Sequence, residues 1–385
     1  MDFEAYLQGR LADIRGRGLY REMKTLTAPH RIRTVVDGAE RIVFNSNDYL
    51  GLAGHPRLVR RAREALETWG FGSPASRLIS GNTALHEALE EALARFKGEE
   101  AAILFPSGYM ANLGVLTSLV EPGDRVLSDA LNHASLVDAC RLCRGDVEVY
   151  PHLDAGAVKE ALARRPRGGK AYIVTDGVFS MDGDVAPMPA LREAADREGA
   201  WIIADEAHAT GVLGETGRGL AEHFGPGAGP DVCIGTLGKA LGGQGGFVAG
   251  SRSLIELLRN RARTFLYTTA PMPALCGGVL EALALLEEEP ERVTSLGEKA
   301  ALFRRCLGEA GVPVPGDPTP IVPVITGEAE RTMEAAEALF EAGYFVTGIR
   351  PPSVPRGSCR LRMTVMEPHT EAEIRGLAEA VGRIL

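Results

Sequence analysis

The 385-residue chain contains no run of about 18 apolar residues, so no membrane-spanning helix is expected. Its opening residues, MDFEAYLQGRLADIRGRGLY, mix charges of both signs and lack the apolar stretch of a secretory signal. These two absences make the cytoplasm the expected compartment. Basic residues are not in excess: 42 Lys and Arg stand against 51 Asp and Glu, a formal net charge of -9. Nucleic acid or an anionic membrane is therefore not the expected main partner, although a local basic pocket for an anionic substrate stays open. Cysteine is scarce, with six residues at 140, 143, 233, 276, 306 and 359. Cys140 and Cys143 make one Cys-x-x-Cys pair, but no second pair or His pair follows at zinc spacing. Reduced thiols and no metal are expected. Internal repeats and low-complexity tracts are missing as well.

What is present fits a folded protein with a full core: 45% hydrophobic and 24% charged residues. The length suggests two or three domains. Phe3, Leu7, Leu11 and Ile14 recur at helical spacing, which predicts an amphipathic helix over residues 1–20. An extended stretch ending in RIVFNSNDYLGL follows. Between about residues 100 and 250, the short apolar runs AAILF, RVLSD, VEVY, AYIVTD, WIIAD, DVCIGT and GGFVAG alternate with helical patterns. Such alternation predicts a mainly parallel sheet covered on both faces. Residues 1–45 are expected to form an N-terminal helix and arm, 46–275 a large α/β domain, and 276–385 a smaller α+β domain.

Two strings mislead. Asp205-Glu206-Ala207-His208 spells the DEAH box of an ATPase, which works beside an upstream phosphate loop. The nearest such string, GTLGKALGG, lies downstream and has Ala240 where a magnesium-binding hydroxyl belongs. The glycines at 242, 243, 245 and 246 lack the strand-GxGxxG-helix context of a dinucleotide site.

A third pattern is more coherent. WIIADEAH puts Asp205 at the carboxyl end of an apolar strand, with His208 just beyond. DVCIGTLGKALGG puts Thr236 and Lys239 past the end of another. FPSGYMAN puts Ser107 and Gly108 at a strand-to-helix junction. Ligands bind at the carboxyl ends of strands in open α/β sheets, and a helix start after a small-residue turn suits a phosphate. Lys239 also sits in an otherwise uncharged stretch from Cys233 to Ser251. Lysine, carboxylate, imidazole and anion cradle together are what pyridoxal 5'-phosphate (PLP) needs: an imine-forming amine, a partner for the pyridine nitrogen, and N–H groups for the phosphate.

At these residues the chain resembles the α-oxoamine synthases, PLP enzymes of fold type I. The matching strings are FNSNDYLGLAGHP, SRLISGNTALHEALEEALA, LNHASLVDACRL, TDGVFSMDGD, DEAHATGVLGETGRG, GTLGKALGG, IRPPSVPRG and RLRMTV. The resemblance implies a mainly parallel seven-stranded sheet between helices and a homodimer with active sites at the subunit interface. Lys239 is implied as the Schiff-base lysine and Cα base, Asp205 as the pyridine partner, and His208 as the neighbour of the ring oxygen. His133 would stack on the ring. Gly108, Tyr109, Ser180 and Thr236 would contact the cofactor, and Thr268 and Thr269 would reach the phosphate of the other subunit. Arg21, Asn47, Arg350, Ser353 and Arg362 would serve substrates, Arg362 taking the amino-acid carboxylate. Glu206 replaces a more usual Asp and is expected to point away from the ring.

Members of this family join an amino acid to an acyl thioester and release CO2. IRPPSVPRG is similar to the loop of members that use L-alanine and a pimeloyl thioester, carried by CoA or by acyl carrier protein. LSDALNHASLVDACRLC and GTLGKALGG are closer to members that use glycine and acetyl-CoA. The C-terminal loop lies nearer the acyl substrate in the family, so alanine with the pimeloyl thioester is the expected pair.

Overall fold

The computed structural model describes residues 2–164, 168–314 and 316–385. Helix α1 (Phe3–Gly16) precedes a hairpin of β1 (Arg33–Val36) and β2 (Ala39–Val43). Helices α2 (Pro56–Trp69) and α3 (Ala84–Lys97) lead into the main body. There β3 (Ala101–Phe105) is followed by α4 (Gly108–Leu119), β4 (Arg125–Asp129) by α5 (Ala134–Leu142), and β5 (Asp146–Tyr150) by α6 (Ala155–Ala163). β6 (Ala171–Asp176) is followed by α7 (Met188–Glu198), and β7 (Trp201–Asp205) by α8 (Leu220–Phe224). β8 (Val232–Thr236) and β9 (Gly246–Gly250) run directly on, before α9 (Arg252–Arg261) and α10 (Arg263–Leu266).

The strands form one sheet in the order β3-β9-β8-β7-β6-β4-β5. Only β9 runs against the rest, antiparallel to both β3 and β8. The seven expected strands are all present. β6 and β9 are buried at every position, as a sheet covered on both faces requires. On one face Ile103, Val174 and Ile203 pack with Val115 of α4, Leu136 of α5 and Leu258 of α9. On the other, Leu104, Ile173 and Ile202 pack with Leu89 and Leu93 of α3 and Leu191 of α7.

The rest of the chain is α11 (Pro273–Glu288), α12 (Glu291–Glu309), β10 (Ile321–Gly327), α13 (Ala329–Glu341), β11 (Tyr344–Phe345), β12 (Thr347–Ile349), β13 (Cys359–Thr364) and α14 (Glu371–Ile384). β10, β13 and β12 form an antiparallel sheet, and a separate core gathers Phe303, Val322, Leu361, Met363, Ile374 and Leu377.

The expected domain limits shift in two places. α11 belongs to the large core through Cys276, Val279 and Leu283, and α12 starts there with Val293 and Leu296. Farther along α12, Leu302, Phe303, Cys306 and Leu307 enter the small core. The junction thus lies inside one continuous helix, not at residue 275. At the other end β2 pairs with β11 and Phe44 sits in the small core, so the last part of the N-terminal arm belongs to the C-terminal body. The expected helix over 1–20 closes at Gly16, and none of its residues is buried.

Candidate active site

Strand direction places the site. β6, β7 and β8 are parallel neighbours, so their carboxyl ends emerge together. Asp176 ends β6 and lies directly opposite Asp205, which ends β7. Thr236 ends β8, and Lys239 follows in the next turn. That turn is pressed against the Leu52–Ala53 backbone. Gly242 has φ +66°, and a Cβ there would lie 2.6 Å from the Ala53 nitrogen.

Asp205 forms the floor of the crevice. Its Oδ2 accepts a 2.7 Å hydrogen bond from Asn112 Nδ2, and its Oδ1 accepts one of 2.9 Å from the Ala207 N–H. No ion pair reaches it among the described residues. Asp176 accepts the His133 N–H at 2.6 Å. Burial first, and then the charge of Asp205, push the Asp176 carboxyl well above its ordinary pKa. Two adjacent carboxylates without a cation between them cannot both ionise cheaply, and the upward shift falls on Asp176.

Lys239 is half-buried and makes no ion pair among the described residues. Burial lowers its pKa to about 8, with Arg362 acting in the same direction against Asp205 and Asp176. A fraction of uncharged amine therefore exists near neutral pH. His208 is buried, and its Nδ1 lies 2.6 Å from the Tyr49 hydroxyl. Burial, then Lys239, Arg362 and His133, push its pKa well below the ordinary value. The imidazole is neutral, and the Tyr49 hydroxyl, whose own pKa burial raises to about 12, has Asn47 Oδ1 at 3.3 Å as a second acceptor. Donation along the shorter contact, to His208 Nδ1, puts the ring proton on Nε2.

His133 caps α5. Its Nδ1 lies 2.7 Å from Ser135 Oγ, while the ring as a whole stays exposed to the crevice. Opposite, Ser107 caps α4 by accepting the Met110 N–H at 3.2 Å. The Gly108 and Tyr109 N–H groups have no hydrogen-bond partner among the described residues. The close approach of α4 to the sheet needs Gly246, where a Cβ would lie 2.6 Å from both Ser107 and Gly108 backbone atoms. Thr236 Oγ1 donates to the Gly245 carbonyl at 2.8 Å and accepts the Gly238 N–H. Tyr109 donates to Asp138.

Arg362 enters from β13 and is buried. Its Nε donates to the Ser180 carbonyl and one Nη donates to Asn47 Oδ1 at 3.2 Å, which fixes the guanidinium plane. The guanidinium also lies within hydrogen-bonding reach of the Tyr49 hydroxyl. The expected substrate residues divide into two groups. Asn47 and Arg362 join the crevice. Arg21, Arg350 and Ser353 meet elsewhere: Arg21 lies 3.5 Å from Ser353 Oγ, and Arg350 donates to the Tyr20 carbonyl. Among the described residues no hydrogen bond links this second group to the first. Thr268 and Thr269 follow α10 and have no hydrogen bond to any crevice residue.

Reading the sequence missed Tyr49, Asn112, Ser135 and Asp176. All four lie in strings already singled out, but only register and packing turn them inward. Glu206 behaves as expected. It faces the other side of the sheet end, where its Oε2 accepts from Lys97 Nζ and the Leu220 N–H, both at 2.9 Å. That burial removes it from any magnesium-ATP role.

The donor set suits PLP. Lys239 supplies an accessible amine of lowered pKa, Asp205 a fixed carboxylate without an ion-pair partner, and α4 two free N–H groups beside a hydroxyl. Lys239, Asp205, His208, His133 and Thr236 would hold the cofactor, with Gly108 and Tyr109 at its phosphate.

Comparison with known proteins agrees. A family profile described as aminotransferase class I and II matches residues 39–381. The 8-amino-7-oxononanoate synthase of Geobacter sulfurreducens is 50% identical over 380 residues, covering 98% of this chain and 97% of that protein. A serine palmitoyltransferase of S. paucimobilis, solved with a bound PLP–myriocin aldimine, superposes with a TM-score of 0.94 at 28% identity, covering 100% of this chain and 98% of the other. The 8-amino-7-oxononanoate synthase of Francisella tularensis superposes with a TM-score of 0.77 at 28% identity, covering 89% and 97%. The chain belongs to the aminotransferase class I and II family and, within it, to the α-oxoamine synthases that its motifs resemble.

Proposed function

We propose that this enzyme condenses L-alanine with a pimeloyl thioester to give 8-amino-7-oxononanoate, CO2 and free thiol, a step of biotin synthesis. The observation that carries the reading is the crevice itself: Lys239 lies within electrostatic reach of both the Asp205 carboxylate and the Arg362 guanidinium, in a chain 50% identical to a protein of that name.

PLP, when bound, supplies an aldehyde for imine formation and a ring that accepts the electron pair of a breaking bond at Cα. The chain does the rest. Arg362 holds the alanine carboxylate with its guanidinium, whose plane Ser180 and Asn47 fix. Lys239 Nζ, uncharged in part at neutral pH, removes the Cα proton. The new C–C bond forms between Cα and the thioester carbonyl, and the C–S bond breaks to release thiol. The Cα–carboxylate bond then breaks, CO2 leaves, and a proton returns to Cα from Lys239. Asp205 would keep the pyridine nitrogen protonated. His208 would donate from Nε2 to the ring oxygen, with Tyr49 at its Nδ1. His133 would cover one face of the ring, with Ser180 beside it.

The working unit is a homodimer, in which Thr268 and Thr269 reach the phosphate of the other subunit. Support comes from large apolar side chains that the single chain leaves exposed: Phe3 at 72%, Phe71 at 78%, Ile79 at 80% and Tyr267 at 73%. Arg21, Arg350 and Ser353 serve the acyl substrate near that interface. Among the described residues no helix is long and apolar enough to cross a membrane, and the reading places the enzyme in the cytoplasm.

The test is turnover of L-alanine with pimeloyl-CoA against glycine with acetyl-CoA, with products identified by mass. The first pair is expected to react with the higher kcat/KM. Preference for the second pair overturns the substrate choice while leaving the PLP reading intact.

A further inference from the structure

Asn112 is fully buried on α4, four residues past the phosphate-facing start of the helix. Its Nδ2 lies 2.7 Å from Asp205 Oδ2 and 2.8 Å from Ser135 Oγ. Its Oδ1 is buried with no hydrogen-bond partner. Turning the amide over would set Oδ1 against the Asp205 carboxylate, two acceptors with no proton between them. The nitrogen therefore faces both neighbours, and both of its hydrogens are used.

That assignment propagates. Ser135 is buried, and its Oγ accepts from Asn112, so its own hydrogen must go elsewhere. The acceptor in reach is His133 Nδ1 at 2.7 Å. The Ser135 backbone N–H points at the same nitrogen from 3.3 Å. Two donors converge on Nδ1, which leaves no room for a proton there.

We propose that Asn112 and Ser135 are positioning residues of the cofactor site. They tie Asp205 to His133 and hold the His133 ring neutral, bare at Nδ1 and protonated at Nε2. The titratable groups around this ring are Asp205, Asp176, Lys239 and the neutral imidazole of His208. Asp176 touches only its backbone N–H. Burial lowers the ring's pKa, Asp205 opposes that shift and Lys239 adds to it. A neutral imidazole can lie against a protonated pyridine ring without charge repulsion, and one chain of hydrogen bonds sets both its tautomer and the carboxylate below. The unpaired Oδ1 is the cost of that arrangement.

This inference rests on the crevice being the PLP site, and the experiment keeps the two apart. Absorbance of bound PLP in the wild-type enzyme tests the site. Nitrogen-15 spectra of histidine-labelled enzyme, with and without PLP, test the tautomer, His133→Gln identifying the signal. Wild-type His133 is expected with Nδ1 bare and Nε2 protonated near neutral pH. Ser135→Ala should let an Nδ1-protonated population appear, and Ser135→Thr, which keeps the hydroxyl, should restore the wild-type signal. Asn112→Leu should disturb the same signal and weaken PLP binding about tenfold, because Asp205 loses a charge-assisted donor. A wild-type ring protonated at Nδ1 overturns the proposal. So does a wild-type signal in Ser135→Ala. Both results stand even where Asn112→Leu fails to fold.

Discussion

A buried lysine and a half-buried one face two carboxylates that are adjacent in sequence, with opposite results. On one side of the β7 end, Glu206 accepts from Lys97 at 2.9 Å, with side chains only 1% and 3% exposed. On the other, Asp205 takes its hydrogen bonds from an amide and a backbone N–H, and Lys239 makes no ion pair among the described residues. The electrostatics follow. Lys97 stays above its ordinary pKa: burial opposes its charge, but Cys233 and Glu206 outweigh it. Lys239 falls to about 8 because burial dominates. A closed pair satisfies itself and serves the fold. A separated pair keeps both members reactive, with a fixed carboxylate for a cationic partner and an amine that can lose its proton.

The sharpest way to break this contrast is to truncate each lysine. Lys239→Ala should lower turnover about 10³-fold or more, since both the imine amine and the Cα base are lost. Its thermal unfolding midpoint without PLP should stay at or above that of the wild type, because a half-buried lysine of lowered pKa contributes no ion pair. Borohydride treatment should fix PLP to the wild type and not to the variant. Residual turnover within tenfold of wild type would remove Lys239 from the chemistry.

Lys97→Met should do the converse. It leaves Glu206 buried and unpaired, a loss of about 3–5 kcal/mol. Denaturant unfolding measures it. The fraction that stays folded should still bind PLP with the wild-type spectrum, because Asp205 faces the other way. Unchanged stability, or a shifted cofactor spectrum in folded protein, would erase the distinction between the two sides.

How much of this contrast could be read in advance follows from what each residue depends on. Lys239, Asp205, His208 and Thr236 follow strand ends, and strand ends show as apolar runs closed by polar residues. All seven strands were legible for the same reason. Asn112 was not: a polar residue inside a helical pattern is ordinary, and only the packing of α4 on β7 brings it 2.7 Å from Asp205. Tyr49 needs a contact with His208, which is 159 positions away. The domain junction escaped because α12 keeps one apolar periodicity while changing the core it serves, Leu296 in one and Leu302 in the next.

His152 sharpens the comparison from a third position. Its Nδ1 lies 2.9 Å from Asp129 and its Nε2 lies 3.2 Å from Asp184, with the ring edge against Phe179. It is closed like Lys97, but it can lose its proton within an accessible pH range. Burial pulls its pKa down, yet the hydrogen bonds and charges of the two carboxylates raise it to about 9. A folded-state pKa raised above the ordinary 6.5 adds stability that is complete below that value and is lost as pH rises through about 9. At neutral pH that stabilisation amounts to about 2–3 kcal/mol for this largely covered ring. His152→Gln should therefore destabilise the enzyme by about that amount near neutral pH, and the gap to the wild type should close above the folded-state pKa. The clamp also joins β4 to the 177–184 loop, whose Ser180 carbonyl orients Arg362. KM for alanine should accordingly rise in His152→Gln more than kcat falls. A stability gap of the same size on both sides of pH 9 would mean that His152 holds the loop by shape and not by charge.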